Sequence, residues 1–319
     1  MHASPGSRAR FLTALGALPL AAALARPADA QSPGPIRIAA TANDTYAEAY
    51  YADAQGAFKK AGLDVEIQTF ATGAPVTAAV AGSAADIGIA GAPAIGAAKS
   101  RGVPFIFIAS GGLYTPSRPA TVIVVATDGP IKSARDFEGQ NVAVGGIKDA
   151  NWLGASAWID AHGGDSTKVK FIELPYAEMG AAIKRGTVAA ATISEPSQTR
   201  AMRTGGLRVF AHHFDVYNPP MMVGGWFTRT QWLADNPAVA KRFVTAIYGI
   251  ATWANANPAD SAPILAAASK IDEETMRTMI RCQYGERLTP SMFQSQLDLA
   301  YKYKILDRAI DGSELIATI

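Results

Sequence analysis

From Ile36 onward, short apolar runs alternate with amphipathic segments, and most runs end in a loop rich in Thr, Gly or Pro. That rhythm predicts parallel strands joined by crossover helices. Ile36–Thr41 reads as a strand and Tyr46–Ala61 as a helix closed by Gly62. The alternating Asp64–Phe70 reads as a second strand with one wetter face. Helix Ala74–Ala81, strand Asp86–Ala90, helix Pro93–Arg101 and strand Phe105–Ala109 continue the series.

The run from Thr121 to Pro196 repeats this design at its densest. Thr121–Ala126 is apolar, Asp128-Gly129-Pro130 turns the chain, and Ile131–Gly139 predicts a short helix before the strand that opens at Asn141. Ser133 and Asp136 are spaced as a capping box, and Gly139 sits where a helix ends. Helix Asn151–His162, strand Lys168–Leu174, helix Ala177–Arg185 and strand Val188–Ile193 follow. Ser194-Glu195-Pro196 then opens another helix, where the missing proline N–H costs nothing. Leu207–Ala211 predicts the last strand of this part, and Met221–Thr228 a return crossing. The remainder is helical, with starts at Pro237, running to Ala256, and at Pro258, Asp272 and Pro290.

The Thr121–Pro196 pattern resembles the second lobe of the periplasmic solute-binding proteins of ABC importers, in the nitrate/sulfonate/taurine and thiamine-pyrimidine-precursor group. The resemblance implies an α/β, two-lobed periplasmic binding protein of type II, with two crossover connections near residues 115–125 and 215–228 and a ligand cleft between the lobes. Lobe 1 would comprise residues 31–120 plus 225–319, with the C-terminal helices packed back on it, and lobe 2 residues 121–224. It further implies a monomer that closes on a small-molecule ligand and hands it to ABC permease and ATPase subunits. A ligand sensor that presents its closed form to a membrane receptor is the alternative. The fold is shared with pyrimidine synthases, but their cysteine-rich motif is missing, so an enzyme is not expected.

The N-terminus points to export independently. Arg8 and Arg10 precede an apolar run from Phe11 to Leu24, and Ala28-Asp29-Ala30 offers a signal-peptidase site before Gln31. The run is short of the roughly 20 apolar residues a spanning helix needs. Ser7–Leu12 also resembles a twin-arginine signal whose second arginine is replaced by Ala9, which favours the general secretory route. No lipobox cysteine accompanies the leader, which favours a free periplasmic protein. Cleavage after Ala30 would remove Arg8, Arg10, Arg26 and Asp29, leaving 29 − 3 = 26 basic and 27 − 1 = 26 acidic side chains. With a net charge of zero there is no electrostatic case for nucleic acid or an anionic membrane. The remaining 319 − 30 = 289 residues suit two domains. The single cysteine, Cys282, excludes zinc ribbons, redox pairs and internal disulfides; it falls in a helical pattern over Glu274–Tyr284 and reads as a buried side chain.

Catalytic constellations are missing. Beyond the leader the histidines are His162, His212 and His213, and no nucleophile elbow, phosphate loop or dinucleotide fingerprint occurs. No metal or cofactor is implied: neighbouring His212 and His213 would point to opposite faces of a strand, and His162 stands at a helix end. Binding groups are instead expected where strands run out into helix starts. In the first half these are Asp44, Thr45 and Tyr46, then Thr72, Gly73 and Ala74, then Gly91 and Ala92, then Gly112 and Tyr114. In the second half, Val144–Leu153 aligns with a family segment that opens the ligand-facing helix. Lys148 and Asp149 stand where relatives carry small hydroxyls, and Asn151 and Trp152 where they carry His and Tyr. Asp149 is also a good helix cap. Glu195 stands where sulfonate binders carry Asp-Pro and pyrimidine-precursor binders Glu-Pro. A carboxylate there would accept from a nitrogen-bearing ligand, unless it merely caps the helix after it. Trp152, Tyr176, Trp226, Tyr46 and Tyr114 offer flat surfaces for an aromatic ligand, or core packing.

Overall fold

The computed structural model describes residues 34–319. The predicted leader and its cleavage site lie outside the described residues. Two five-stranded α/β sheets are covered by helices, the two-lobed architecture expected from the alternating pattern. The first sheet holds β1 (Ile36–Thr41), β2 (Val65–Phe70), β3 (Ile87–Ala90) and β4 (Phe105–Ser110). A short strand, β5 (Gly112–Tyr114), leads out of it. The second sheet holds β6 (Thr121–Ala126), β7 (Asn141–Val144), β8 (Lys170–Glu173), β9 (Ala190–Ser194) and β10 (Leu207–Ala211). The return passes through β11 (Met221–Met222) into β12 (Gly225–Arg229), and β13 (Gln283–Tyr284) follows much later.

The helices that matter for the site start at the carboxyl ends of strands: α3 (Gly73–Ala81) after β2, α4 (Ala92–Ser100) after β3, α5 (Ala150–Ala161) after β7 and α6 (Tyr176–Lys184) after β8. Before them come α1 (Glu48–Ala54) and α2 (Ala57–Lys60); after them come α7 (Ser197–Arg203), α8 (Thr230–Asp235), α9 (Pro237–Ala256), α10 (Pro258–Ser269), α11 (Glu273–Thr278) and α12 (Gln294–Lys302). Phe243, Ile247 and Ile250 of α9 join Ile38, Ile87 and Tyr51 in one buried cluster on the first sheet. Among the described residues, no helix is long and apolar enough to cross a membrane.

Several local expectations change. The sheets are not all parallel: the first runs β2-β1-β3-β12-β4, with β12 antiparallel to both neighbours, and β6 is antiparallel to β9 and β10. A strand that returns from another sheet enters from the opposite end, which a period-2 pattern does not record. Gly88 makes the insertion possible, since a Cβ there would lie 2.9 Å from the Phe227 ring. The predicted helix Tyr46–Ala61 breaks into a 3-10 turn at Asp44–Tyr46, then α1 and α2, with Gly56 at φ 66° between them. Ile131–Gly139 is a single 3-10 turn, Ala134–Phe137, although its capping box forms, with Ser133 N–H donating to Asp136 Oδ2 at 2.7 Å. Pro290 opens a 3-10 turn, not a helix. Cys282 is buried as expected but lies outside any helix, because α11 stops at Thr278 and Met279 is extended.

Between the lobes, β11, β5 and β13 form a three-stranded antiparallel sheet that the pattern does not announce, since its strands are two or three residues long. Around it Tyr114, Phe214, Tyr217 and Met222 join Leu153 of the second lobe and Phe107 of the first in one apolar cluster. Tyr114 and Phe214 meet edge to face, with ring centroids 5.5 Å apart.

Candidate functional site

A cavity of about 450 Å³ opens between the strand ends of the two sheets. From the first lobe, Thr41 ends β1, Asn43 follows it, Tyr46 closes the 3-10 turn, and Gly91 precedes α4. From the second come the β7–α5 loop, Gly146 to Asn151, and Tyr176 at the start of α6. α3 and α4 point their N-termini this way, and their N-cap residues, Thr72 and Gly91, make no side-chain cap. The Gly73 and Ala74 N–H groups of α3 are therefore left for water or a ligand, whereas in α4 Pro93 has no N–H and the Ala94 N–H donates to the Gly91 carbonyl at 3.2 Å. A second cavity of about 300 Å³ adjoins the first, sharing Thr41, Asn43 and Tyr176 with it and reaching Ser194, Pro196 and Ser197.

Glycines give the tyrosines room. A Cβ on Gly224 would stand 2.4 Å from Tyr46 Cε1, and one on Gly145 would stand 2.5 Å from the Tyr176 hydroxyl. The Gly145–Asp149 loop is held by the Ile147 N–H, which donates to Glu173 Oε1 at 2.7 Å. Lys148 takes the left-handed region at φ 65°, an uncommon conformation for a residue with a side chain. That turn delivers Asp149 to the start of α5, where Oδ1 accepts the Trp152 N–H at 2.8 Å. The Asn151 groups beside it also favour the charged form, so the carboxylate is engaged by the start of its own helix while it lines the cavity. Burial pushes the Asp149 carboxyl up to about 7; the N–H groups of Trp152 and Asn151 hold it down, and the charge of Glu173 adds to the rise. Burial also raises the hydroxyls of Tyr46 and Tyr176, and the charge of Asp149 raises both further.

Behind this loop runs a polar chain. Asn151 Nδ2 donates to the Tyr176 hydroxyl at 3.0 Å, and Asn151 Oδ1 lies 3.3 Å from His213 Nε2. Burial pushes His213 down to about 3, so the imidazole is neutral and its Nε2–H donates to the amide. With Asn151 as its donor, the Tyr176 hydroxyl gives its own proton elsewhere, and the Ser194 hydroxyl is within its reach. Thr41 and Asn43 add a hydroxyl and an amide; the Thr41 Oγ1 is buried and has no partner.

Of the residues expected at the cleft, Tyr46, Gly73, Ala74, Gly91, Lys148, Asp149, Asn151 and Tyr176 line this cavity. The others are placed elsewhere. Asp44 is fully buried, paired with Arg281 at 2.8 Å, and accepts the Cys282 N–H at 2.6 Å. Thr45 donates to Asn43 Oδ1 at 3.2 Å, and Gly112 packs so closely on Thr45 that a Cβ would lie 2.6 Å from its carbonyl oxygen. Thr72 precedes α3 without a side-chain cap and without lining the cavity, and Ala92 is buried in α4. The Tyr114 hydroxyl donates to Asp215 at 2.6 Å. Trp152 stands edge-on to Phe171, with centroids 5.7 Å apart, and Trp226 is a core side chain whose Nε1–H donates to Glu48 at 3.1 Å.

Glu195 is buried, and both its oxygens are engaged by the helix it precedes. Oε2 accepts the Thr199 N–H at 2.9 Å and Oε1 the Thr199 hydroxyl at 2.8 Å. Burial pushes its carboxyl up to about 7, the Thr199 bonds hold it down, and the charge of Asp44 raises it. Among the groups not foreseen, Thr41 and Asn43 sit at a strand end, the signal used for their neighbours. His213 and the alanines of α3 and α4 carry no such signal. His212 and His213 form no metal cluster; among the described residues no group of three or more His, Cys, Asp or Glu side chains is placed to hold an ion.

The sequence profile described as NMT1/THI5 like matches residues 43–261. No curated protein matches the chain. Solved structures do. The chain is similar to the periplasmic aliphatic sulphonate-binding protein SsuA from Escherichia coli, with 19% identity over 90% of this chain and 93% of that one, at a TM-score of 0.71. It is similar to the alkanesulfonate-binding protein SsuA from Xanthomonas axonopodis pv. citri bound to MOPS, with 16% identity, 89% and 98% covered and a TM-score of 0.75. The periplasmic nitrate-binding protein NrtA from Synechocystis shares 16% identity, with 87% and 83% covered and a TM-score of 0.72. At these identities the likeness shows the fold, two α/β lobes about a cleft. The sequence profile spans more than half of the chain, and the chain belongs to the NMT1/THI5-like family.

Proposed function

We propose that this protein is the solute-binding subunit of an ABC importer, exported with cleavage after Ala30 and acting in the periplasm as a monomer. Its two lobes, residues 31–120 plus 225–319 and residues 121–224, close by hinge motion on a small organic ligand. They then present it to the membrane permease, whose ATPase subunits drive uptake. Relatives with this fold that bind sulfonates and nitrate support the binding role over catalysis.

The ligand carries a nitrogen-bearing head with hydrogen-bond donors. The observation that carries this is the Asp149 carboxylate, which lines the cavity and is engaged only by the start of its own helix. A carboxylate is an acceptor and prefers an amine, amidine or ring N–H to a simple anion. Asn43 and Tyr46 flank it with groups able to donate to an acceptor on the same head. A thermal-shift screen of amines, pyrimidines, aromatic acids, sulfonates and nitrate tests the assignment. Stabilisation by nitrogen-bearing compounds is expected, and stabilisation by sulfonates alone overturns it.

A further inference from the structure

The cavity does not end at the polar groups. It continues between α3 and α4, lined by Ala74, Ala78 and Ala81 on one side and Ala94, Ala97 and Ala98 on the other. Each set falls on one face of its helix. The two helices scarcely touch, so the stripes face each other across a gap. Val103 and Phe105 line it too, and Arg101 and Ile305 stand at the far end, where the guanidinium meets the Ile305 carbonyl at 3.4 Å. From Ala74 to Ala81 the groove runs about 10 Å at the helical rise per residue. At the near end Thr41 lines the same cavity with its buried hydroxyl unpartnered, a polar group that awaits a ligand atom.

Resting on the solute-binding reading above, we propose that the ligand is an amphiphile, with its nitrogen-bearing head at Asp149 and a slender, unbranched apolar tail of medium length between α3 and α4. The groove is open on the α3 side, where Ala74, Ala78 and Ala81 are exposed, and larger side chains on either stripe would fill it. Alanine at these positions keeps it open, and the Thr77 hydroxyl that also lines it is spent on the Ala74 carbonyl at 2.8 Å. The tail is the occupant because head site and groove are one continuous cavity.

The test is calorimetry with butylamine, hexylamine and octylamine, and in parallel with alkanesulfonates of the same lengths. Affinity should rise with length by up to about fourfold per methylene, the effect of burying one CH₂. In Ala78→Leu and Ala98→Leu the octyl-to-butyl affinity ratio should collapse toward one. Leucine is a good helix former, and circular dichroism confirms that the variants fold. If octylamine binds no more tightly than butylamine, the tail is overturned while the head reading stands. If only the sulfonates bind, the head is overturned and their length series reads the groove by itself. If neither series binds, both are overturned.

Discussion

Two acidic regions meet near the cleft, and they are built to opposite ends. At Asp149 a left-handed turn at Lys148 presents a carboxylate that lines the cavity and is held only by Trp152 and Asn151 of its own helix. At Asp44 and Glu195 every carboxylate oxygen is consumed inside the protein: Arg281 and Cys282 take the first residue, and Thr199 takes the second. The Asp44 N–H even donates to the Glu195 carbonyl at 3.1 Å, tying the two strand ends together across the lobes. Burial raises both Asp149 and Glu195 to about 7, so a perturbed carboxyl does not by itself mark a ligand contact. A place on the cavity wall, which Asp149 has, does.

Removing Asp44 should cost most. Asp44→Ala leaves the Arg281 guanidinium, 14% exposed, without its carboxylate. Breaking one side of a buried pair costs about 3–5 kcal/mol, which chemical denaturation should register as a large fall in midpoint.

Asp149→Asn should instead spare the fold, since Asn caps a helix about as well as Asp. Its effect falls on binding, a loss of roughly ten- to a hundredfold for a donor-bearing ligand, as expected for a charge-assisted hydrogen bond of about 1.5–3 kcal/mol. Unchanged affinity by calorimetry would remove Asp149 from the site.

The third consequence is a pH dependence. Glu195 is raised from 4.5 to about 7 in the folded protein, so the native state holds its proton more tightly than the unfolded chain. The stability associated with the protonated form is complete below the unfolded value and is lost as pH rises through the folded one. The Glu195 contribution to the urea midpoint should therefore decline between about pH 4.5 and about pH 7, beside a like decline from Asp149 and an opposite rise from His213. The difference in midpoint between the parent and Glu195→Gln should change across that window, with ligand affinity nearly unchanged.

Least affected should be Arg203→Ala. Arg203 of α7 reaches Asp272 at 3.4 Å, the Thr275 hydroxyl at 3.1 Å and Glu274, on the N-terminal side of α11 in the opposite lobe. The charged groups are exposed, although Thr275 is buried, and such ion pairs contribute at most about 1 kcal/mol. Small-angle scattering should report a small shift toward a more open ligand-free form.

The sequence made the alternation of strands and helices legible because an apolar run between Gly and Pro signals survives translation into structure almost unchanged. The long helix Pro237–Ala256 carries both its start and its apolar stripe in the text. β12 and the three-stranded sheet were not legible, since direction and pairing are set by distant strands. The site divides in the same way. Strand-end position predicted that Tyr46, Gly91 and Asp149 would meet at the cavity. The same rule selected Asp44, whose fate was settled by Arg281, 237 positions along the chain. It selected Glu195 too, where the competing helix-cap reading describes the bonds that form.

Calorimetric titration of a donor-bearing ligand from the screen, repeated from about pH 5.5 to about pH 8.5, tests the central claim most directly. The carboxyl titrates near 7, so affinity should strengthen as pH rises through that value and Asp149 ionises, and Asp149→Asn should abolish the dependence. Equal affinity across the range for a ligand that stays protonated, or a dependence that persists in Asp149→Asn, would contradict it.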